Sequence, residues 1–153
     1  MDKKILKRTL ELTVEDLSRK TPLQLILSMI EECGELATEV KILNKVYGNS
    51  HKISEEGAAV ETIDTIICVL SVYFAMGGTI EPLLKNIKMQ EDPVPLSTEK
   101  YTHLITKFAV NGDYIEAIQH AIYNYYAINK SFNDFEKVFN NKLDKWRKNQ
   151  QRG

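Results

Sequence analysis

Apolar residues return every three or four positions along almost the whole chain, and the strict alternation of a half-buried strand is missing. The pattern predicts an all-α fold. A first, weaker helix is expected over 3–18 and a second over 21–46, opened by Thr21-Pro22-Leu23-Gln24. Thr21 has the chemistry of an N-cap, Pro22 suits the first helical position, and Gln24 closes a capping box. Within that helix Leu23, Ile26, Ile30, Cys33, Ala37 and Val40 make one apolar seam. Residues 47–53 read as a polar loop and Ser54 as the cap of a third helix over 55–76, which Gly77-Gly78 ends. Thr79 then caps a short helix running to residue 90. Three more helices are expected at 98–110, 114–130 and 132–149, with Asn111-Gly112 and residues 129–131 as punctuation.

Two prolines within 91–96 mark the best internal boundary. The expected organisation is therefore two helical halves, 1–92 and 93–153, packed as one domain. An offset of 52 places Ile63 on Ile115, Leu70 on Ile122, Tyr73 on Tyr125 and Leu83 on Phe135. A degenerate repeat and a chance agreement between two helical hairpins both account for it.

Composition narrows the function classes. The 153 residues include 20 Lys and Arg against 21 Asp and Glu, so a net charge of −1 gives no general attraction to a nucleic-acid polymer or a membrane surface. The charged start, Met1 to Arg8, has no leader-like apolar core. The longest apolar run, Ile66 to Met76, interrupted by Ser71, falls short of the roughly 20 residues a bilayer requires. Cys33 and Cys68 both fall in apolar helical patterns, as reduced core thiols would. A cytoplasmic location is the expectation.

The candidate chemistry is acidic. Glu31, Glu32 and Glu35 lie on the second helix, and Glu61 and Asp64 on the third. Carboxylates three apart share a helix face one turn apart. Glu32 and Glu35 fall on the flank of the apolar seam, where a cleft would reach them. Glu61 and Asp64 sit in a segment, 58–76, whose other polar side chains are mainly Thr62, Thr65 and Ser71. A helix apolar on nearly all sides is a buried helix. Two buried carboxylates cost several kcal/mol each unless a cation meets them. No Lys or Arg lies between Lys52 and Lys85, so the helix cannot supply one itself. Basic groups from elsewhere or a hard divalent ion must do so.

EECGE at 31–35 followed by ETID at 61–64 resembles the EExxE…ExxD signature of the all-α nucleotide pyrophosphohydrolases. That superfamily includes the MazG-like enzymes, dimeric dUTPases, dCTPase-type enzymes and phosphoribosyl-ATP pyrophosphohydrolases. The resemblance covers about residues 20–90 and implies a Mg²⁺-dependent hydrolase, with Mn²⁺ as a substitute, that splits a nucleoside triphosphate into monophosphate and pyrophosphate. It implies Glu32, Glu35, Glu61 and Asp64 as metal ligands, and Glu31 as a further ligand or the residue that positions water. Ile63 departs from the smaller residue common there, and the second half carries no EExxE. Asp113 and Glu116 read either as a vestigial ExxD or as an ordinary helix start, the latter favoured.

Phosphate contacts are expected from Lys41, Lys45, Lys85 and Asn86, and from Lys145 and Arg147 in the basic C-terminal segment. That segment, with Lys142 and Lys148, also suits a helix C-terminus without any ligand. Trp146 offers a stacking surface or a packing one. The apolar surface of the second and third helices points to a homodimer or homotetramer. Two rivals remain. One is phosphoribosyl-ATP hydrolysis at the same site. The other is a non-catalytic helical interaction module. A di-iron bundle is disfavoured, because His103 and His120 follow Glu99 and Glu116 by four residues instead of three.

Overall fold

The computed structural model describes residues 1–45, 57–92 and 94–152. Seven helices and no strand occur among them: α1 (Lys3–Asp16), α2 (Pro22–Leu43), α3 (Gly57–Ala75), α4 (Ile80–Asn86), α5 (Thr98–Val110), α6 (Tyr114–Asn129) and α7 (Phe135–Arg152). The fold is all-α, as the periodicity requires. The proposed Ser54 cap and the whole of the 47–53 loop lie outside the described residues.

The ends follow local chemistry. At α2, Thr21 N–H donates to Gln24 Oε1 at 2.9 Å and Gln24 N–H to Thr21 Oγ1 at 3.2 Å, the capping box in full. After α3 the chain turns through Gly77 at φ +94°, a conformation disfavoured for residues with a Cβ. At Gly78 an added Cβ would meet the Tyr73 ring at 2.5 Å, so glycine lets that ring lie over the turn. Thr79 begins α4 without a side-chain capping bond, and α4 ends at Asn86, short of residue 90. Asp113 likewise makes no side-chain cap to α6, and both it and Glu116 are exposed. Asp113 therefore stands at the N-cap position of α6, the favoured ordinary helix start, but without a side-chain capping bond.

Helices α2, α3, α6 and α5 form a four-helix bundle in that cyclic order, and α1 and α7 pack on the remaining side of α3. This placement explains the composition of α3. It has neighbours on every side, and 12 of its 19 residues are buried. By length and composition α3 could also cross a membrane, which the shorter run 66–76 would not suggest. Its apolar faces are spent here on other helices.

The seam of α2 needs correction. Its buried residues are Leu25, Met29, Cys33, Leu36 and Val40, whereas Leu23 and Ile30 are 64% and 44% exposed. At 100° per residue the buried stripe is rotated about 70° from the expected one. The rotation brings Glu32 to within about 60° of the stripe's centre and leaves Glu35 about 120° away. Leu23, Leu27 and Ile30 form an exposed apolar stripe on the other side of the helix.

Candidate functional site

Glu32 reaches the α3 surface where Glu61 and Asp64 stand one turn apart. The three residues each present a carboxylate oxygen, and these oxygens all lie within 4.8 Å of one another. Thr65 fastens the two helices here, its hydroxyl 2.9 Å from Glu61 O and 3.4 Å from Glu32 O. Glu61 is 8% exposed. Glu32 Oε2 is buried with no hydrogen-bond partner among the described residues. Burial, followed by the charges of Glu61, Asp64 and Glu35 and a hydrogen bond with Glu61, pushes the Glu32 carboxyl up to about 9. At neutral pH Glu32 thus retains a proton.

Two members of the cluster, Glu32 and Asp64, line a cleft of about 310 Å³ together with Lys20, Lys142, Lys145 and Trp146, while Glu61 is not among its lining residues. Lys142 Nζ lies 3.1 Å from Asp64 Oδ2, and the two side chains are only 14% and 19% exposed. Cation compensation, which α3 cannot supply itself, comes across the cleft from α7. Between them, Cys68 lines the cleft as a thiol raised well above its ordinary range, chiefly by burial. Such a thiol is neutral and poorly nucleophilic. Cys33 is raised for the same first reason, and both cysteines are free, as expected of reduced core thiols.

A third carboxylate in the cleft, Asp16, ends the buried stripe of α1 and fixes α7. Asp16 Oδ2 accepts from Trp146 Nε1 at 3.0 Å and Oδ1 from Gln150 Nε2 at 2.7 Å, and Lys20 Nζ stands 3.5 Å from Oδ2. Arg8 adds a second tie, donating to Asn140 and Asp144 at 2.7 Å each. Trp146 and the lysines of α7 are thereby held over α3.

The expected site residues separate into two groups. Glu32, Glu61 and Asp64 converge, and Lys145 lines the same cleft. Glu31 and Glu35 are exposed and stand outside the triad. Lys41, Lys45, Lys85, Asn86 and Arg147 do not line the cleft. Lys45 follows α2 at φ +59°, and Asn86 Nδ2 is engaged with Pro82 O at 2.8 Å. Asp16 and Lys20 were missed. The signal for Asp16 was an acid ending the stripe Ile5, Leu6, Thr9, Leu12, Thr13. Lys142 was read as part of a basic helix end, although it adjoins the buried Phe139 and Leu143.

Three hard oxygen donors, one of them with an unsatisfied buried oxygen, fit a divalent cation such as Mg²⁺ or Mn²⁺. The lysines beside them fit an anion. No family model, curated protein or solved structure matches this chain.

Proposed function

We propose that the protein is a divalent-metal-dependent nucleotide pyrophosphohydrolase, hydrolysing a nucleoside triphosphate to the monophosphate and pyrophosphate. One observation carries this reading: two acids of the converging triad, Glu32 and Asp64, line a single cleft together with Lys20, Lys142, Lys145 and Trp146, and the buried Glu61 completes the triad beside it. The resemblance of 31–35 and 61–64 to the MazG-like signature supports the same assignment.

Glu32, Glu61 and Asp64 would hold Mg²⁺, which supplies charge neutralisation and Lewis acidity toward a phosphate. Lys142 and Lys145 face the negative charge that accumulates on the leaving pyrophosphate. In the reaction, the oxygen of water bonds to the α-phosphorus while the bridge to the β-phosphate breaks. Trp146 offers a ring to an apolar part of the substrate, its Nε1 already engaged by Asp16. Glu35 acts by charge from one turn away. The exposed stripe Leu23, Leu27 and Ile30 supports a homo-oligomer. The setting is a cytoplasmic nucleotide pool, and phosphoribosyl-ATP is the alternative substrate for the same chemistry.

The Lys142–Asp64 pair favours a second reading, a non-catalytic helical module in which that pair is purely structural. The deciding experiment incubates the protein with a panel of ribo- and deoxynucleoside triphosphates and phosphoribosyl-ATP, with Mg²⁺ or EDTA, resolving pyrophosphate from orthophosphate. Mg²⁺-dependent pyrophosphate release is expected. Its absence from every substrate would leave the module reading.

A further inference from the structure

Lys142 is placed unlike a surface lysine of a basic helix end. It lies one residue from the buried Leu143, its side chain is 14% exposed, and its ammonium is 3.1 Å from Asp64 Oδ2. Asp64 is also one of the three residues whose oxygens converge within 4.8 Å. One carboxylate therefore belongs both to an ion pair and to a candidate ligand set.

Two cations cannot share it at no cost. A divalent ion at the triad and an ammonium 3.1 Å from an oxygen of Asp64, one of the triad's residues, repel each other, and the low exposure of the pair weakens solvent screening of that repulsion. The rest of the cleft gives the ammonium somewhere to go. Lys142 stands on a long flexible stem in a cleft that also holds Lys20 and Lys145, so an anion entering there would meet several cations.

We propose that Lys142 is an exchangeable counter-ion of the site: it neutralises Asp64 while the metal is absent, yields Asp64 to the divalent cation, and then pairs with the polyphosphate. The proposal rests on the metal-site reading above. It gives Lys142 two effects of opposite sign. The residue weakens binding of the metal alone and strengthens binding of the metal with its anion. A lysine that merely joined α7 to α3 would not produce that pair of effects. The fixed structural ties at Asp16 and Arg8 would meanwhile keep α7 in place during the exchange.

The test measures Mn²⁺ binding by electron paramagnetic resonance and calorimetry in the wild type and in Lys142→Met. It then measures binding of the preformed Mn²⁺–tripolyphosphate complex to both. Lys142→Met should bind Mn²⁺ about three- to tenfold more tightly, and the complex more weakly by a similar factor. Unchanged Mn²⁺ affinity would overturn the exchange while leaving the metal site intact. Tighter Mn²⁺ binding with unchanged affinity for the complex would overturn the transfer to the anion. No Mn²⁺ binding by either protein would overturn the exchange and the metal-site reading together. If Lys142→Met lacks the wild-type helical spectrum, Lys142→Arg carries the test, because a guanidinium grips a carboxylate through two donors. Weaker Mn²⁺ binding by that variant supports the exchange, and equal or tighter binding contradicts it.

Discussion

Two acidic side chains of the same cleft, Asp16 and Glu32, live in opposite surroundings. Asp16 is 5% exposed and is met by Trp146, Gln150 and Lys20. Glu32 is half-buried among Glu61, Asp64 and Glu35, with one oxygen lacking a hydrogen-bond partner among the described residues. A buried carboxylate supplied with donors joins two helices. A carboxylate packed against others of its kind costs stability until a cation arrives. The α1–α7 wall is thus satisfied within the fold, while on the α2–α3 wall Lys142 meets Asp64 and Glu32 is left among carboxylates.

Substitutions sharpen this contrast. The largest expected effect is on turnover: Asp64→Ala or Glu61→Ala should lower pyrophosphate release at least roughly a hundredfold, a ligand to a catalytic ion being worth several kcal/mol. Circular dichroism should show the helices intact. Next comes Asp16→Ala, which removes the acceptor for Trp146 and Gln150. It should cost about 1–3 kcal/mol in a denaturant titration, because buried donors lose their partner. Equal stability in Asp16→Ala and wild type would refute the contrast.

Glu32→Gln should act in the opposite sense to Asp16→Ala: lower activity, but greater stability of the metal-free protein. The same logic predicts a pH dependence. The Glu32 carboxyl has an ordinary value of 4.5 and is raised to about 9 in the fold, so between those values the folded protein holds a proton that the unfolded chain has lost. Metal-free stability should therefore decline as pH rises through that window. Thermal melts in EDTA from pH 5 to pH 9 check this, with Glu32→Gln showing a smaller slope. The smallest effect is expected from Glu35→Ala. The family resemblance treats Glu35 as a ligand equal to Asp64, whereas its exposed place outside the triad predicts a loss below about tenfold.

These contrasts show which parts were readable in the sequence. The acids of α3 were conspicuous because an almost wholly apolar helix carried them, and the structure surrounds that helix with four others. The capping box and the glycine turn were equally local and equally legible. The phase of α2 was not. Apolar residues occur on both sides of the helix, and only packing against α3 and α5 chose Leu25, Met29 and Leu36 over Leu23 and Ile30. The other wall was the least visible. Asp16 and Trp146 are 130 residues apart, and nothing local announces that α1 and α7 meet across α3. Lys142 was assigned to a solvated helix end for the same reason.

The most direct test is a Mn²⁺-soaked crystal examined by anomalous scattering. A single ion bounded by Glu32, Glu61 and Asp64, with Lys142 displaced from Asp64, is the predicted result. An ion held instead by Glu31 or Glu35, or no ion at a Mn²⁺ concentration that saturates pyrophosphate release, would contradict the assigned centre.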